Sequence, residues 1–200
     1  MRSLWDVLYN FHWVEPGKAA RSAQAYAGFL SPFLKSRGIR AVINLRGSNP
    51  DYRWWRYETD ECARAGIAHF DVKLNSRQLP TRGMLLDLLH AIETAPTPLL
   101  FKCSGGQDRT SFAAALYLLN AKGWEASVQA DAQFARWPYL HLPRREQLWL
   151  RMFPAFAREQ SEGAPLQEWL TTRYSPDDLK AWLEASGHSG SFRRIYDAPR

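Results

Sequence analysis

The sequence predicts a three-layer α/β/α fold: a central, mostly parallel sheet of four to five strands with helices on both faces, and extra helices toward the carboxyl end. Two observations carry that expectation. Short apolar, β-rich runs at 39–45, 67–74 and 98–101 alternate with longer stretches of helical spacing, the order that builds a parallel sheet covered on both sides. The third run passes through a glycine-containing loop straight into an Ala/Leu-rich helix, and ligands of such sheets bind at the carboxyl ends of the strands. A chain of 200 residues that is 46% hydrophobic is large enough for one such core.

The first fourteen residues are rich in aromatics but include Asp6, and they lack the apolar core and small-residue cleavage site of a signal peptide. They are also too short and polar for a membrane span, so the cytoplasm is the default location. From Ser22 to Arg37, Tyr26, Phe29, Leu30, Phe33 and Leu34 recur at helical spacing, and Gly38 ends the pattern. Ile39 to Leu45 reads as a buried strand with Arg46 at its end. Ser48 to Asp51 is a turn, and a helix over Tyr52–Ala65 ends at Gly66. Its neighbours Trp54 and Trp55 cannot share one face, and packing on a later helix is the expected fate of this pair.

Ile67 to Leu74 is a strand, and Asn75 to Pro80 a polar loop. Thr81 to Thr94 is an amphipathic helix capped by Thr81, with Leu85, Leu86, Leu88, Leu89 and Ile92 inward and His90 at the surface. After Gly123 the chain reads as helices at 125–136, 144–160, 165–174 and 175–186. Ser175-Pro176-Asp177-Asp178 is a strong helix start, with a capping serine, proline at the first helical position and acids near the dipole. Trp137-Pro138-Tyr139 is read as a turn.

The net charge is +6, with arginine well ahead of lysine, which suits an anionic substrate. No basic run interleaved with aromatics is dense enough for nucleic acid. There are two cysteines, Cys62 and Cys103, too few for a disulfide framework, and no Cys/His cluster has metal-ligand spacing.

The chemistry concentrates in 99–111, Leu-Leu-Phe-Lys-Cys-Ser-Gly-Gly-Gln-Asp-Arg-Thr-Ser. Gly105 and Gly106 let successive amides point into one concavity at a helix N-terminus, a cradle for an oxyanion. Cys103 at its mouth feels the same positive field and is expected as a thiolate, while Arg109 offers a planar fork matched to two phosphate oxygens. Thr110 adds a hydroxyl that can donate toward the sulfur.

Cys103-x5-Arg109-Thr110, set between strand and helix, resembles the signature of the cysteine-dependent phosphatases, the protein tyrosine and dual-specificity superfamily, in its compact bacterial type. The resemblance spans roughly residues 14 to 122, because Arg21-Ser22-Ala23-Gln24 and the stretch from Gly38 to Gly47 are also similar to early strands of compact members. It implies a catalytic domain over 1–160, with 161–200 a helical extension packed on it. It also implies a monomeric hydrolase that forms a cysteinyl-phosphate on Cys103 and needs neither cofactor nor metal. Ser104, Gly105, Gly106, Gln107, Asp108, Arg109 and Thr110 would hold the phosphate. Lys102, which stands where the family usually has histidine, would contact substrate or face solvent, and Arg77 and Arg46 are further candidates for substrate contacts.

The family's general acid sits on a movable loop, which here corresponds to Asn75–Gln78 and carries no acid. Asp71, in the strand before it, and Asp108, inside the loop, are the two candidates, with Asp108 preferred. Cys62 is either a core residue or a partner that traps oxidised Cys103 as a disulfide. Phosphoproteins, inositol phosphates and phosphoinositides are the expected substrates. A catalytically silent phosphate-binding module is the alternative, and a sulfur transferase fits Arg109-Thr110 less well.

Overall fold

The computed structural model describes residues 3–25 and 29–197. In chain order the elements are α1 (Leu4–Leu8), β1 (His12–Glu15), β2 (Ala19–Ser22), α2 (Leu30–Lys35), β3 (Ala41–Asn44), α3 (Arg53–Ala65) and β4 (Ala68–Asp71). There follow β5 (Gln78–Leu79), α4 (Arg82–Thr94), β6 (Leu99–Lys102), α5 (Asp108–Lys122), α6 (Ser127–Ala132), α7 (Trp149–Ser161), α8 (Leu166–Thr172), α9 (Pro176–Ala185) and β7 (Arg194–Ile195). Five strands form the sheet in the order β1-β2-β6-β3-β4; only β1 runs antiparallel to its neighbour. That places β6, and with it the glycine loop, at the centre.

Strand alternation sorts the side chains onto two cores. Ala19, Ala41, Ile43, Leu99 and Phe101 face one side, where they pack with helices α4, α5, α7, α8 and α9. Ala20, Val42 and Leu100 face the other and pack with Leu30, Phe33, Leu34 and Cys62 from α2 and α3. The helix α5 is buried along nearly its whole length, which explains why its Ala/Leu run shows little amphipathic contrast. Leu166, Trp169, Leu170, Tyr174, Leu179 and Leu183 from the carboxyl-terminal helices belong to the same core as β6 and α5. The Tyr174 hydroxyl donates to the Pro80 carbonyl at 2.7 Å, and β7 pairs with β5, tying the end of the chain to the loop after β4.

Several boundaries differ from expectation. The stretch expected as a helix from Ser22 contributes Ser22 to β2, and its helical part is only Leu30–Lys35; Tyr26 lies outside the described residues. Hydrogen bonding to β6 along the whole of β2 decides that stretch, and single-strand periodicity does not register a pairing partner so distant in sequence. The helix α3 ends as expected at Gly66, with φ +69° in the left-handed region that glycine enters without penalty.

Candidate active site

The loop 103–107 crosses the carboxyl end of β6 and opens α5 at Asp108. Its carbonyls are turned outward and tied down. Ser104 O accepts from the Gln24 amide at 3.2 Å, Gly105 O and Gly106 O from Asn10 Nδ2 at 3.5 and 3.0 Å, and Gln107 O from Arg21 Nη2 at 3.1 Å and Ser111 Oγ at 2.6 Å. In a planar trans peptide the C=O and the following N–H point to opposite edges. Fixing these four carbonyls therefore turns the amides of Gly105, Gly106, Gln107 and Asp108 toward the concavity, an anion cradle reinforced by the α5 dipole. Gly106 has φ +62°, and a Cβ there would lie 2.4 Å from Ala23 N, so the backbone of β2's end occupies the space a side chain would need.

Cys103 starts the loop, buried at 3% exposure. Arg109 is half-buried at the opposite rim, with Nη1 donating to Leu45 O at 3.5 Å and Nη2 to Ser104 Oγ at 3.3 Å. The structure thus places Cys103, Ser104, Gly105, Gly106, Gln107, Asp108 and Arg109 in one loop and the first turn of the helix that follows it. Thr110 differs from expectation: it is fully buried, and its hydroxyl donates to Gln107 O at 3.3 Å and accepts from Arg21 Nη2, so it braces the loop instead of facing the sulfur.

Arg21 is the principal residue that the reading of single residues missed. Alternation along β2 points it at α5, where it is fully buried and donates to Gly106 O, Gln107 O, Gln133 O and the hydroxyls of Thr110 and Ser111. Tyr139 covers its guanidinium, 4.3 Å from ring centroid to Cζ. Burial pulls its pKa down to about 10, still high enough to stay charged at neutral pH. A local signal existed, in that Arg21 begins a stretch shared with compact phosphatases; Asn10 had none, because only the fold brings it to the loop.

Lys102 is corrected. Alternation sends it to the α3 side of the sheet, where it is 2% exposed and can reach neither substrate nor solvent. Its ammonium lies 2.6 Å from Glu58 Oε1 and donates to Gln24 Oε1 at 2.8 Å. Glu58 also pairs with His69 Nε2 at 2.9 Å and accepts from Gln24 Nε2 at 2.6 Å. Burial lowers the pKa of Lys102 to about 8 against the opposing pull of Glu58. Burial alone would raise that of Glu58, but the His69 hydrogen bond and the Lys102 charge outweigh it and hold the carboxyl below its ordinary value.

The two tryptophans of α3 do not pack on a later helix: Trp54 lies under Arg46, 3.5 Å from ring centroid to Cζ, and Trp55 Nε1 donates to Asp71. Arg46 itself is half-buried beside the loop, with Nη1 3.4 Å from Gln24 Oε1. Arg77 belongs to the edge held by the chain terminus, its carbonyl accepting from Arg193 N and its Nε 3.6 Å from Glu146.

The two carboxylates are held very differently. Asp71 ends β4, and its oxygens accept from Asn44 Nδ2 at 2.6 Å and from Trp55 Nε1 at 2.9 and 3.1 Å. It lies in register with Lys102 two strands away, about 10 Å across the sheet, and on the α3 side. Asp108 directly follows the loop as the first residue of α5, with Oδ2 accepting from Gln147 Nε2 at 3.0 Å and Oδ1 3.3 Å from His141 Nδ1. Cys62 packs with Val42 and Leu100 in the α3-side core, whereas Cys103 belongs to the core on the other face, and both are free thiols.

A sheet of this order with such a loop at the end of its central strand is the fold of the protein tyrosine and dual-specificity phosphatases. Three of the solved structures it is similar to illustrate this. Tk-PTP, in a mutant form, superposes with TM-score 0.57 at 17% identity, covering 74% of this chain and 96% of that one. TpbA of P. aeruginosa gives 0.52 at 15%, covering 88% and 92%. The core catalytic domain of the PP-IP phosphatase SIW14 from S. cerevisiae gives 0.53 at 16%, covering 90% and 93%. No family model matches the sequence, and no curated protein matches it.

Proposed function

We propose that the protein hydrolyses phosphomonoesters through a cysteinyl-phosphate intermediate. The observation that carries this reading is the loop whose carbonyls at Ser104, Gly105, Gly106 and Gln107 are tied outward, with Cys103 at its start and Arg109 bonded back to Ser104. The Cys103 thiolate attacks phosphorus in line while the loop amides and Arg109 take the charge of the equatorial oxygens. As the P–O bond to the leaving group breaks, Asp108 gives that oxygen a proton. Water then attacks the phosphocysteine and yields its proton to the Asp108 carboxylate; the S–P bond breaks, and thiolate and inorganic phosphate are released. The place of Asp108 in the loop, against that of Asp71 on the far strand, supports Asp108 as the acid.

Phosphotyrosine, phosphoserine and phosphothreonine proteins, inositol phosphates and phosphoinositides are the substrate classes. TpbA has been captured in complex with pTyr, and SIW14 is a PP-IP phosphatase; both likenesses support this range. The test is phosphate release from a phosphotyrosine peptide, a phosphoserine peptide, inositol hexakisphosphate and phosphoinositides, with Cys103→Ser beside wild type. Turnover that disappears in Cys103→Ser is expected. No turnover on any substrate, with inorganic phosphate still binding, overturns the reading in favour of a silent phosphate-binding module.

A further inference from the structure

The segment 138–147, outside the stretch that resembles the phosphatases, reaches back to one side chain of the loop. From it we infer that His141 and Gln147 are positioning residues for Asp108: together they fix the carboxyl from which the proton is delivered. The inference rests on the phosphatase reading above.

His141 is 3% exposed, wedged edge-on against Phe134 with ring centroids 5.3 Å apart. Neither of its ring nitrogens has a hydrogen-bond partner, and neither does Asp108 Oδ1, which lies 3.3 Å from Nδ1. A buried imidazole facing a buried carboxylate oxygen without a formed hydrogen bond is costly, and an apolar side chain would avoid that cost. A slight turn of either group closes the bond.

Gln147 holds the other oxygen. Its Oε1 accepts from the Arg144 amide at 2.9 Å, which fixes the orientation of the side-chain amide and turns Nε2 toward Asp108 Oδ2 and Ser76 Oγ, both at 3.0 Å. Through Ser76 the same amide pins the loop after β4, and Trp149 Nε1 adds a bond to Ser76 O at 2.9 Å. The loop that lacks an acid is therefore tied to the residue that supplies one.

The choice of histidine follows from the cycle. Asp108 must be a carboxylic acid before the first displacement and a carboxylate after it. An imidazole carrying its proton on Nδ1 can donate to Oδ1 of the carboxylate and equally to Oδ1 of the acid whose proton sits on Oδ2, so His141 can pair with Oδ1 in both states without holding the proton to be delivered. An asparagine places an amide N–H near the position of Nδ1 and can donate to Oδ1 in both states; leucine can donate in neither.

The experiment compares wild type, His141→Leu and His141→Asn on phenyl phosphate, a poor leaving group, and p-nitrophenyl phosphate, a good one. General acid catalysis contributes about 10²–10⁴-fold and matters most for the poor leaving group. For His141→Leu the loss of kcat on phenyl phosphate is expected to exceed that on p-nitrophenyl phosphate by about tenfold or more, with affinity for inorganic phosphate retained, and His141→Asn is expected to recover most of the difference. Equal losses on both esters together with weakened phosphate affinity, or no loss on either, overturn the inference. A second readout does not depend on turnover: the ring ¹⁵N shifts of His141 are expected to change in Asp108→Ala, and an unchanged ring overturns the pairing. Failure of the phosphatase reading appears separately, as absent turnover in wild type.

Discussion

Replacing Gly106 with alanine tests the geometry of the cradle most sharply. The added Cβ would stand 2.4 Å from Ala23 N, 2.6 Å from Ser22 C and 2.9 Å from Ser22 O, all backbone atoms that cannot rotate away. Ordinary contact begins near 3.4 Å, so the loop or the end of β2 must move by about 1 Å. In addition, φ +62° costs a side-chain-bearing residue roughly 1–2 kcal/mol. Movement of that size pulls the Gly106 carbonyl off Asn10 and Arg21 and turns its neighbouring amides, and a 1 Å misplacement costs about 10²-fold in rate. Gly105 is the internal control, since a Cβ there meets only the Gln107 side chain at 3.6 Å or more and its φ is not positive. The assay is kcat/KM on an aryl phosphate together with the dissociation constant for inorganic phosphate. Gly106→Ala is expected to lose at least tenfold more than Gly105→Ala in both. Equal effects of the two substitutions would refute the inference that packing against β2 shapes the cradle.

Two further predictions concern groups outside the loop. Arg21→Met takes the donor from the Gln133 carbonyl and one charged donor each from the carbonyls of Gly106 and Gln107, which keep Asn10 and Ser111, a loss of about 3 kcal/mol. Thermal unfolding should drop by roughly 6–12 °C with weaker phosphate binding, and an unshifted transition would contradict the bracing role. Glu58, held below its ordinary value of 4.5 because the His69 hydrogen bond and the Lys102 charge outweigh the burial that would raise it, contributes stability that is present above that value and lost as pH falls through its folded value. The difference in unfolding free energy between wild type and Glu58→Gln should be full at pH 7 and shrink steadily below pH 4.5; a difference that stays constant or grows would reverse the sign.

Much was legible in the residues themselves. The strand–loop–helix unit around Cys103, the capped helix at Thr81 and the glycine stop at Gly66 all depend on near neighbours, and local rules read them well. The cysteine, the glycines and Arg109 declare an anion cradle because their chemistry is carried within a few residues. Which residues hold that cradle was decided elsewhere. Ser22 joins a strand because β6, far along the chain, supplies its hydrogen bonds, and strand alternation then sends Arg21 under the loop and Lys102 to the opposite face.

Asn10 and His141 sit in segments with no pattern of their own, and Gln147 lies in a single helical turn. They become part of the site because packing of the carboxyl-terminal helices and the start of the chain brings them to the loop from the two ends of the sequence. The sequence by itself therefore determined the strand–loop–helix unit that carries Cys103, its glycines and Arg109, and the alternation of strands and helices, all of which follow from local spacing. Only the tertiary structure decided how Asp71 and Asp108 are each held, what anchors the loop and where the charges behind Cys103 are buried, because those depend on which distant side chains share one face of a sheet.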